Sequence, residues 1–138
     1  MDYYLVYRYE DSSWKETHKH VKSYNNNDQE IMYAIFRWVD QAWLNDSKYD
    51  YAYDEEGQRT SSIMSKWDAE QEMWNLYHKT ITDYNSEGFL LYYAYYLWSD
   101  EMEDWIGFGM REYIRDDENY LQVIKRYEWN DAAWDWEL

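Results

Sequence analysis

The stretch YYLVYRYE at residues 3–10 predicts the first structural element of the chain. Its odd-numbered residues would face one side and its even-numbered residues the other, and this period of two is typical of a half-buried β-strand. Residues 11–13 (Asp-Ser-Ser) are typical of a turn, and residues 14–24 favour a second extended segment. We therefore predict an antiparallel β-hairpin over residues 1–24.

Apolar side chains then recur at helical spacing in two segments. A first helix is predicted at about residues 28–45, and a second from about residue 61 to the Asn-Ser-Glu-Gly sequence at residues 85–88. The polar residues 45–60 between them favour a loop, which could contain a short strand at residues 49–53. The two helix predictions rest on apolar residues at helical spacing. In the first helix these are Ile31, Ala34, Ile35, Trp38, Val39 and Ala42, and in the second they are Ile63, Met64, Trp67, Met73, Trp74, Tyr77 and Ile81.

The C-terminal third gives a weaker pattern. Residues 89–98 fit a strand or a helix, and the absence of strict alternation favours a helix. Residues 99–101 resemble a helix N-terminal cap, although Gly107 and Gly109 oppose a helix after it. Residues 120–129 fit either a strand or a helix, and no internal repeat is evident.

Together these segments predict a single α+β domain over residues 1–138. In this fold the N-terminal antiparallel β-hairpin, residues 1–24, packs against several amphipathic, aromatic-rich helices. Residues 25–138 form the acidic, mainly helical part.

The chain is strongly acidic and strongly aromatic at the same time. Twenty-nine Asp and Glu against thirteen Lys and Arg give a formal charge of −16, and the 138 residues include ten Trp, eighteen Tyr and three Phe. Disordered acidic tails are poor in aromatic residues, so this composition predicts a folded domain. Residues 1–24 hold four acids and four bases, whereas residues 99–138 hold twelve acids and four bases and so carry half of the excess charge.

Composition also narrows the class of protein. The absence of cysteine excludes disulfides, thiolate catalysis and Cys-based zinc sites. The N-terminus lacks the basic start and apolar stretch of a secretory signal, and the longest uncharged run, residues 89–98, is about half of what a transmembrane helix needs. We therefore expect a cytoplasmic protein, in the cytoplasm of a host cell. Proline is also absent, which leaves open a biased small genome or an artificial sequence.

Metal-ligating and catalytic residue types are present without the spacing that a site requires. His18 and His20, with Glu16, would share one side of the second strand, but neighbouring lysines oppose a bound cation. The acidic residues 46–56 have the wrong spacing for an EF-hand. Paired carboxylates occur in glycosidases, but 29 acids make such pairs inevitable, and no nucleophile elbow or Gly-rich phosphate loop is present. We predict no catalytic residue, no metal and no cofactor.

The densest acidic groups predict a charged binding surface. Carboxylates three or four residues apart on a helix have Cβ atoms about 5–6 Å apart, which is comparable to the separation of successive phosphates on a DNA strand. Because DNA-binding proteins gain affinity by neutralising phosphates, an acidic helix could occupy the same basic groove. The residues predicted to contact a partner are Asp100, Glu101, Glu103, Asp104, Glu112, Asp116, Asp117 and Glu118.

In charge, size and richness in Asp, Glu, Tyr and Trp, residues 25–138 resemble the small DNA-mimic proteins of phages and plasmids, the anti-restriction inhibitors and some anti-CRISPR proteins. The resemblance is compositional and carries no functional residue over. It implies a monomeric or homodimeric, non-enzymatic inhibitor that blocks the nucleic-acid-binding site of a restriction or CRISPR nuclease. The expected partner is a basic nucleic-acid-binding protein of the host, with no direct nucleic-acid contact and no membrane contact.

Other functions stay open. An immunity protein or antitoxin that neutralises one basic toxin or nuclease would also be small and acidic, with exposed Tyr and Trp as binding anchors. Further alternatives are a small enzyme and an artificial protein without a partner.

Overall fold

The computed structural model describes all 138 residues and contains ten β-strands joined by turns, with no helix. The strands form one antiparallel sheet in which each strand pairs with its neighbours in sequence. No helix is present that could span a membrane. The strands are β1 (Asp2–Glu10), β2 (Ser13–Tyr24), β3 (Glu30–Val39), β4 (Ala42–Tyr53), β5 (Arg59–Asp68), β6 (Met73–Tyr84), β7 (Leu90–Ser99), β8 (Asp104–Arg115), β9 (Leu121–Asn130) and β10 (Asp135–Glu137).

The predicted α+β fold is wrong, because every segment expected to be helical consists of strands and turns. The first expected helix, at about residues 28–45, is β3, a tight turn and the start of β4. Ala34 and Trp38 face one side of β3 and Ile35 faces the other, so both sides carry apolar groups and their combined pattern imitates a helical period. Tyr, Trp, Ile and Val favour strands because their bulky side chains pack well on a pleated surface.

The hairpin predicted for residues 1–24 is present, although it does not pack against helices. β1 and β2 pair through Tyr9 opposite Trp14 and Glu10 opposite Ser13. Asp11 and Ser12 form the two-residue loop, with φ of 50° and 63°. Two successive residues with positive φ are typical of a type I′ turn, whose twist matches that of the flanking strands.

A hairpin repeat of about 30 residues organises the sheet, although no internal repeat was expected from the sequence. Five-residue turns and tryptophans both recur at intervals of 29, 31 and 31 residues. The first interval is shorter because the β3–β4 loop has two residues, whereas the later loops at 69–72 and 100–103 have four. The turns begin at Asn25, Asp54, Asn85 and Asp116, and the tryptophans are Trp14, Trp43, Trp74 and Trp105.

A cross-strand aromatic pair stands beside each of the other five hairpin loops. The ring centroids of these pairs lie 4.9–5.3 Å apart in tilted or edge-on arrangements. Such pairs stabilise a protein by about 0.5–1.5 kcal/mol each beyond the area they bury, so they hold the hairpins closed. The pairs are Tyr9–Trp14, Trp38–Trp43, Trp67–Trp74, Trp98–Trp105 and Trp129–Trp136.

The contacts divide the chain into two compact units. Unit 1 comprises Met1–Tyr51 and Met64–Leu76, and unit 2 comprises Ala52–Ile63 and Tyr77–Leu138. The single-domain boundary expected from the sequence stays a prediction.

Few side chains are fully buried. The accessible surface is 9890 Å² for 17.4 kDa, whereas a compact monomer of that mass exposes about 7,900 Å². The buried residues are mostly small, and no helix is present to cover the sheet. They are Val21, Ala34, Ser47, Met64 and Ser65 in unit 1, and Ala94 and Gly107 in unit 2.

Candidate protein-binding surface

The four repeated five-residue turns share one backbone geometry. In each turn the N–H of the first residue donates to the carbonyl of the fifth, and the N–H of the fourth donates to the carbonyl of the first, at 2.9–3.2 Å. The fourth residue has φ between 59° and 85° and is Asp28, Gly57, Gly88 or Asn119. These residue types adopt positive φ more readily than most, which explains their recurrence at this position.

An Asn or Asp side chain closes each turn. Asn85 Oδ1 accepts hydrogen bonds from the N–H groups of Glu87 (3.1 Å) and Phe89 (2.9 Å), and Asp116 Oδ1 accepts from Glu118 (3.1 Å) and Tyr120 (2.9 Å). This Asx cap holds the loop in place and leaves the second and third side chains exposed. Those two positions are therefore available for binding groups.

In unit 2 five of these six exposed positions are acidic, and we name the turns at residues 54–58, 85–89 and 116–120 the acidic edge. Successive turns are two strands apart, or about 9.6 Å, so the three turns span about 19 Å. Asn119 ties neighbouring turns together, because its Nδ2 donates to Glu87 Oε2 at 2.6 Å and its Oδ1 accepts from Asn85 Nδ2 at 2.7 Å. The carboxylates of the acidic edge are Asp54, Glu55, Glu56, Glu87, Asp116, Asp117 and Glu118.

The structure separates the predicted partner-binding residues into three places. Asp116, Asp117 and Glu118 belong to the acidic edge. Asp100, Glu101 and Glu103 lie in the β7–β8 turn at the other end of β8, and Asp104 is the first residue of that strand. Twelve residues of extended chain place these two groups roughly 36 Å apart. The single helical row expected for the carboxylates is therefore wrong, and a binding role for its residues stays a prediction. That row comprised Asp100, Glu101, Glu103, Asp104, Glu112 and Asp116.

Glu112 lies within β8 and is already engaged. Its Oε2 accepts a hydrogen bond from Tyr127 Oη at 2.7 Å and forms an ion pair with Lys125 Nζ at 3.1 Å. The Tyr127 hydroxyl and the Lys125 ammonium hold the pKa of Glu112 below its usual value. Glu112 in turn raises the pKa of both Lys125 and Tyr127. This carboxylate is thus part of a local network within unit 2.

Sequence reasoning missed Asp54, Glu55, Glu56 and Glu87. It assigned the first three to a solvated loop together with Asp46 and Asp50, which instead lie on β4. Asp46 Oδ1 pairs with Arg37 Nε at 2.6 Å, and Asp50 Oδ2 pairs with Lys48 Nζ at 2.9 Å. The signal that could have found the edge is the recurrence of Asn or Asp followed three residues later by Gly, Asp or Asn.

The histidines of β2 do not form the arrangement expected for a metal site. His18 pairs with Val6 and Glu16 pairs with Tyr7, so the bulge at Thr17 places Glu16 on the opposite face of the strand from His18. Glu16 Oε1 instead accepts a hydrogen bond from Tyr7 Oη at 3.4 Å.

His20 belongs to an aromatic ladder on one face of unit 1. Its ring stacks on Tyr4 at 4.5 Å and on Tyr33 at 5.6 Å, and its Nδ1 is hydrogen-bonded to the Tyr33 hydroxyl. Tyr33 also contacts Tyr49, with ring centroids 6.1 Å apart. Burial lowers the pKa of His20, with a smaller contribution from His18, and burial raises the pKa of Tyr33. The hydroxyl groups of Tyr4 and Tyr33 and Nδ1 of His20 therefore find hydrogen-bond partners within the ladder.

Neither a protein-family model nor a curated protein matches the sequence. The fold is similar to a DUF3836 family protein from Bacteroides vulgatus, at 21% identity and a TM-score of 0.60 over 67% of this chain and 91% of that one. It is also similar to a protein of unknown function from Bacteroides fragilis, at 20% identity and a TM-score of 0.65 over 87% and 86% of the two chains.

A DUF3836 family protein from Parabacteroides distasonis gives a TM-score of 0.50 at 14% identity over 75% of this chain and 80% of that one. At these identities the likeness shows the fold alone. The resemblance to phage and plasmid DNA-mimic proteins is wrong, because the structural likeness is to all-β proteins of this DUF3836 type.

Proposed function

We propose that the chain is a non-enzymatic binding protein whose acidic edge occupies the nucleic-acid-binding groove of a basic protein and thereby inhibits it. The density of carboxylates on that edge carries the proposal. Seven carboxylates lie along about 19 Å, and one strand of duplex DNA carries one charge per 3.4 Å, or about six over the same length. A restriction or CRISPR nuclease of a host cytoplasm is the class of partner that this charge density fits.

Four carboxylates of the acidic edge, Glu55, Glu56, Asp117 and Glu118, make no side-chain hydrogen bond and are available to a partner, whereas the other three accept hydrogen bonds within the chain. None of the seven forms an ion pair within the chain. Unit 2 as a whole carries seventeen acids and six bases, a charge of −11. A field of this sign steers a basic partner towards the edge and weakens as salt increases. Because the Asx caps hold the backbone, little loop entropy is lost on binding.

The test uses the full chain as an immobilised bait in a lysate of a bacterial host, with elution by salt and by competing duplex DNA. We expect retention of a DNA-processing enzyme that both treatments release. The variant E55Q/E56Q/D117N/E118Q should lose this retention, because it removes four edge charges and leaves both Asx caps intact. The control variant D83N/D131N/D135N/E137Q removes the same charge elsewhere in unit 2, at residues outside the predicted contact set, and should keep the retention. Equal losses in both variants would mean that net charge, and not the edge, binds the partner.

A second candidate is an immunity protein or antitoxin that binds one basic toxin through aromatic anchors. The β1–β2 hairpin favours it, because Tyr3, Tyr9 and Trp14 have 67%, 59% and 70% of their surfaces exposed. Large exposed aromatic side chains are typical hot spots of protein interfaces. A partner that resists salt and is lost from Y3A/W14A, but not from the four-carboxylate variant, would establish this function instead.

A further inference from the structure

We propose that unit 2 contains a second binding site, centred on Arg111 and Arg126, for a carboxylate-bearing sugar such as a uronic acid residue of a glycan. The site lies on a strand face, away from the turns of the acidic edge, and it has the opposite charge. It does not depend on the function proposed for that edge.

The two arginines are direct cross-strand neighbours without a partner. Arg111 on β8 pairs in register with Arg126 on β9, so both side chains project from the same face. Like charges placed opposite each other in this way destabilise a sheet. Neither guanidinium forms an ion pair or a hydrogen bond within the chain, although unit 2 contains seventeen carboxylates. An anion held between them would remove this repulsion.

The other cations of the C-terminal forty residues are engaged, which sets this pair apart. Arg115 Nη1 donates to the carbonyl of Asn119 at 2.9 Å and its guanidinium lies 5.0 Å from the Phe89 ring centroid. Lys125 is paired with Glu112. The arginine pair is therefore the one cationic group of this region that is open to a ligand.

Aromatic rings line the groove beside the arginines. Tyr93 on β7 is the register partner of Arg111, and Tyr95 is the register partner of Gly109. The ring of Phe108, which occupies the β8 bulge, stands edge-on to Tyr95 at 5.8 Å. With Tyr113, these residues bound an open groove of about 700 Å³.

Gly109 leaves space within this groove. A Cβ atom added at Gly109 would meet no atom within 4 Å, so no neighbouring side chain fills the position. The glycine thus keeps the strand backbone accessible between the aromatic rings and the arginine pair. A flat ligand ring could approach the sheet closely at this point.

The chemistry of the groove selects a singly charged, ring-shaped ligand. Two guanidinium groups can each donate paired hydrogen bonds to a carboxylate, and tyrosine and phenylalanine rings pack against the C–H faces of a sugar. Glu128 also lines the groove and would accept a hydrogen bond from a sugar hydroxyl. The same carboxylate, with the −11 charge of unit 2, disfavours polyanions such as nucleic acids and acidic peptides.

Calorimetric titration of the full chain with methyl β-glucuronide and with the neutral methyl β-glucoside tests the site. We expect the glucuronide to bind about tenfold or more tightly than the glucoside, because only it offers a carboxylate to the arginines. R111Q and R126Q should each weaken glucuronide binding about tenfold. The control R8Q removes an exposed arginine that is paired with Glu10 in unit 1, and it should leave binding unchanged.

Several outcomes would overturn the proposal. Equal affinity for the two sugars would show that the arginines do not take part, and no binding of either sugar would remove the site. Equal affinity for acetate or inorganic phosphate would mean a charge-only site, and tighter binding of N-acetylglutamate would assign the site to an acidic peptide. The comparison of the two sugars uses the unmodified chain, so it decides the matter even if an arginine variant fails to fold.

Discussion

Units 1 and 2 are built from the same hairpin repeat, but they place different chemistry at equivalent positions. In unit 1, Tyr33 and Tyr49 face each other across β3 and β4 and continue a ladder that is hydrogen-bonded within itself. In unit 2 the equivalent residues are Tyr93 and Arg111, and the next strand adds a second arginine. Unit 1 holds twelve acids and seven bases, a charge of −5, against −11 for unit 2.

This difference shows what a sheet with little buried core allows. The backbone repeat is maintained by turns, Asx caps and aromatic pairs, which need only a few side chains per hairpin. The other positions are partly exposed and can change their chemistry at small cost. At such positions unit 1 has aromatic side chains that stack on one another, whereas unit 2 has the arginines Arg111 and Arg126, which form no ion pair.

The largest expected effect on the free energy of unfolding comes from substituting Gly107, a glycine that has no counterpart in unit 1. Gly107 stands where unit 1 has Asn45, and a Cβ atom there would lie 2.6 Å from Trp129 Cδ2 and 2.7 Å from Trp136 Cη2. Gly107→Ala should lower the free energy of unfolding by about 2–3 kcal/mol, because the rigid indole rings must move. Urea unfolding monitored by tryptophan fluorescence would measure it.

Gly109→Ala is the matched control for this substitution. It lies two residues further along β8, where an added Cβ meets nothing within 4 Å. Its free energy of unfolding should stay within about 0.5 kcal/mol of the parent value. A similar loss in both variants would show that strand propensity, and not the indole contact, determines the result.

A medium effect is expected from an Asx cap of the acidic edge. Asn85→Ala removes the acceptor for two backbone N–H groups and the donor to Asn119, so it should cost about 1–2 kcal/mol of unfolding free energy. Ser86→Ala changes the next residue of the same turn, and its hydroxyl makes no hydrogen bond in the structure, so we expect almost no change. Thermal unfolding of the two variants would compare them. Equal melting temperatures would contradict the role given to the cap.

The smallest effect is the pH dependence that His20 gives to unit 1. Burial holds its folded pKa below the value of about 6.5 that is usual for histidine, so the unfolded chain binds the proton first as the pH falls. Stability should therefore decrease as the pH falls below about 7 towards the folded pKa, before the carboxylates titrate. In His20→Gln the midpoint of urea unfolding should change less between pH 7.5 and pH 5.5 than in the parent chain. An unchanged slope in that variant would rule out His20 as the source.

The sequence predicted those parts of the fold that depend on local signals. The alternation in residues 3–10 and the turn that follows were enough for the first hairpin. The boundary at residues 85–88 was also recognised, although the segments before and after it were assigned to helices. Those segments carry apolar side chains on both faces, which removes the period-two signal on which a strand prediction depends.

The candidate sites were only partly predictable for a related reason. Asp116, Asp117 and Glu118 were singled out because they are adjacent in sequence. Glu56 and Glu87 join them only because two hairpins bring turns about 30 residues apart to one edge. The recurrence of the turn motif would have shown that these turns share one edge, whereas the number of charges alone did not.

By itself the sequence determined the first hairpin, the positions of several turns and the concentration of negative charge after residue 25. These are properties of neighbouring residues, so local conformational preference and composition are sufficient to specify them. Only the tertiary structure decided that distant acidic turns share an edge and that Arg111 and Arg126 stand side by side. Cross-strand pairing sets these neighbours through the register of the hairpins, and that register joins residues that are far apart in the chain.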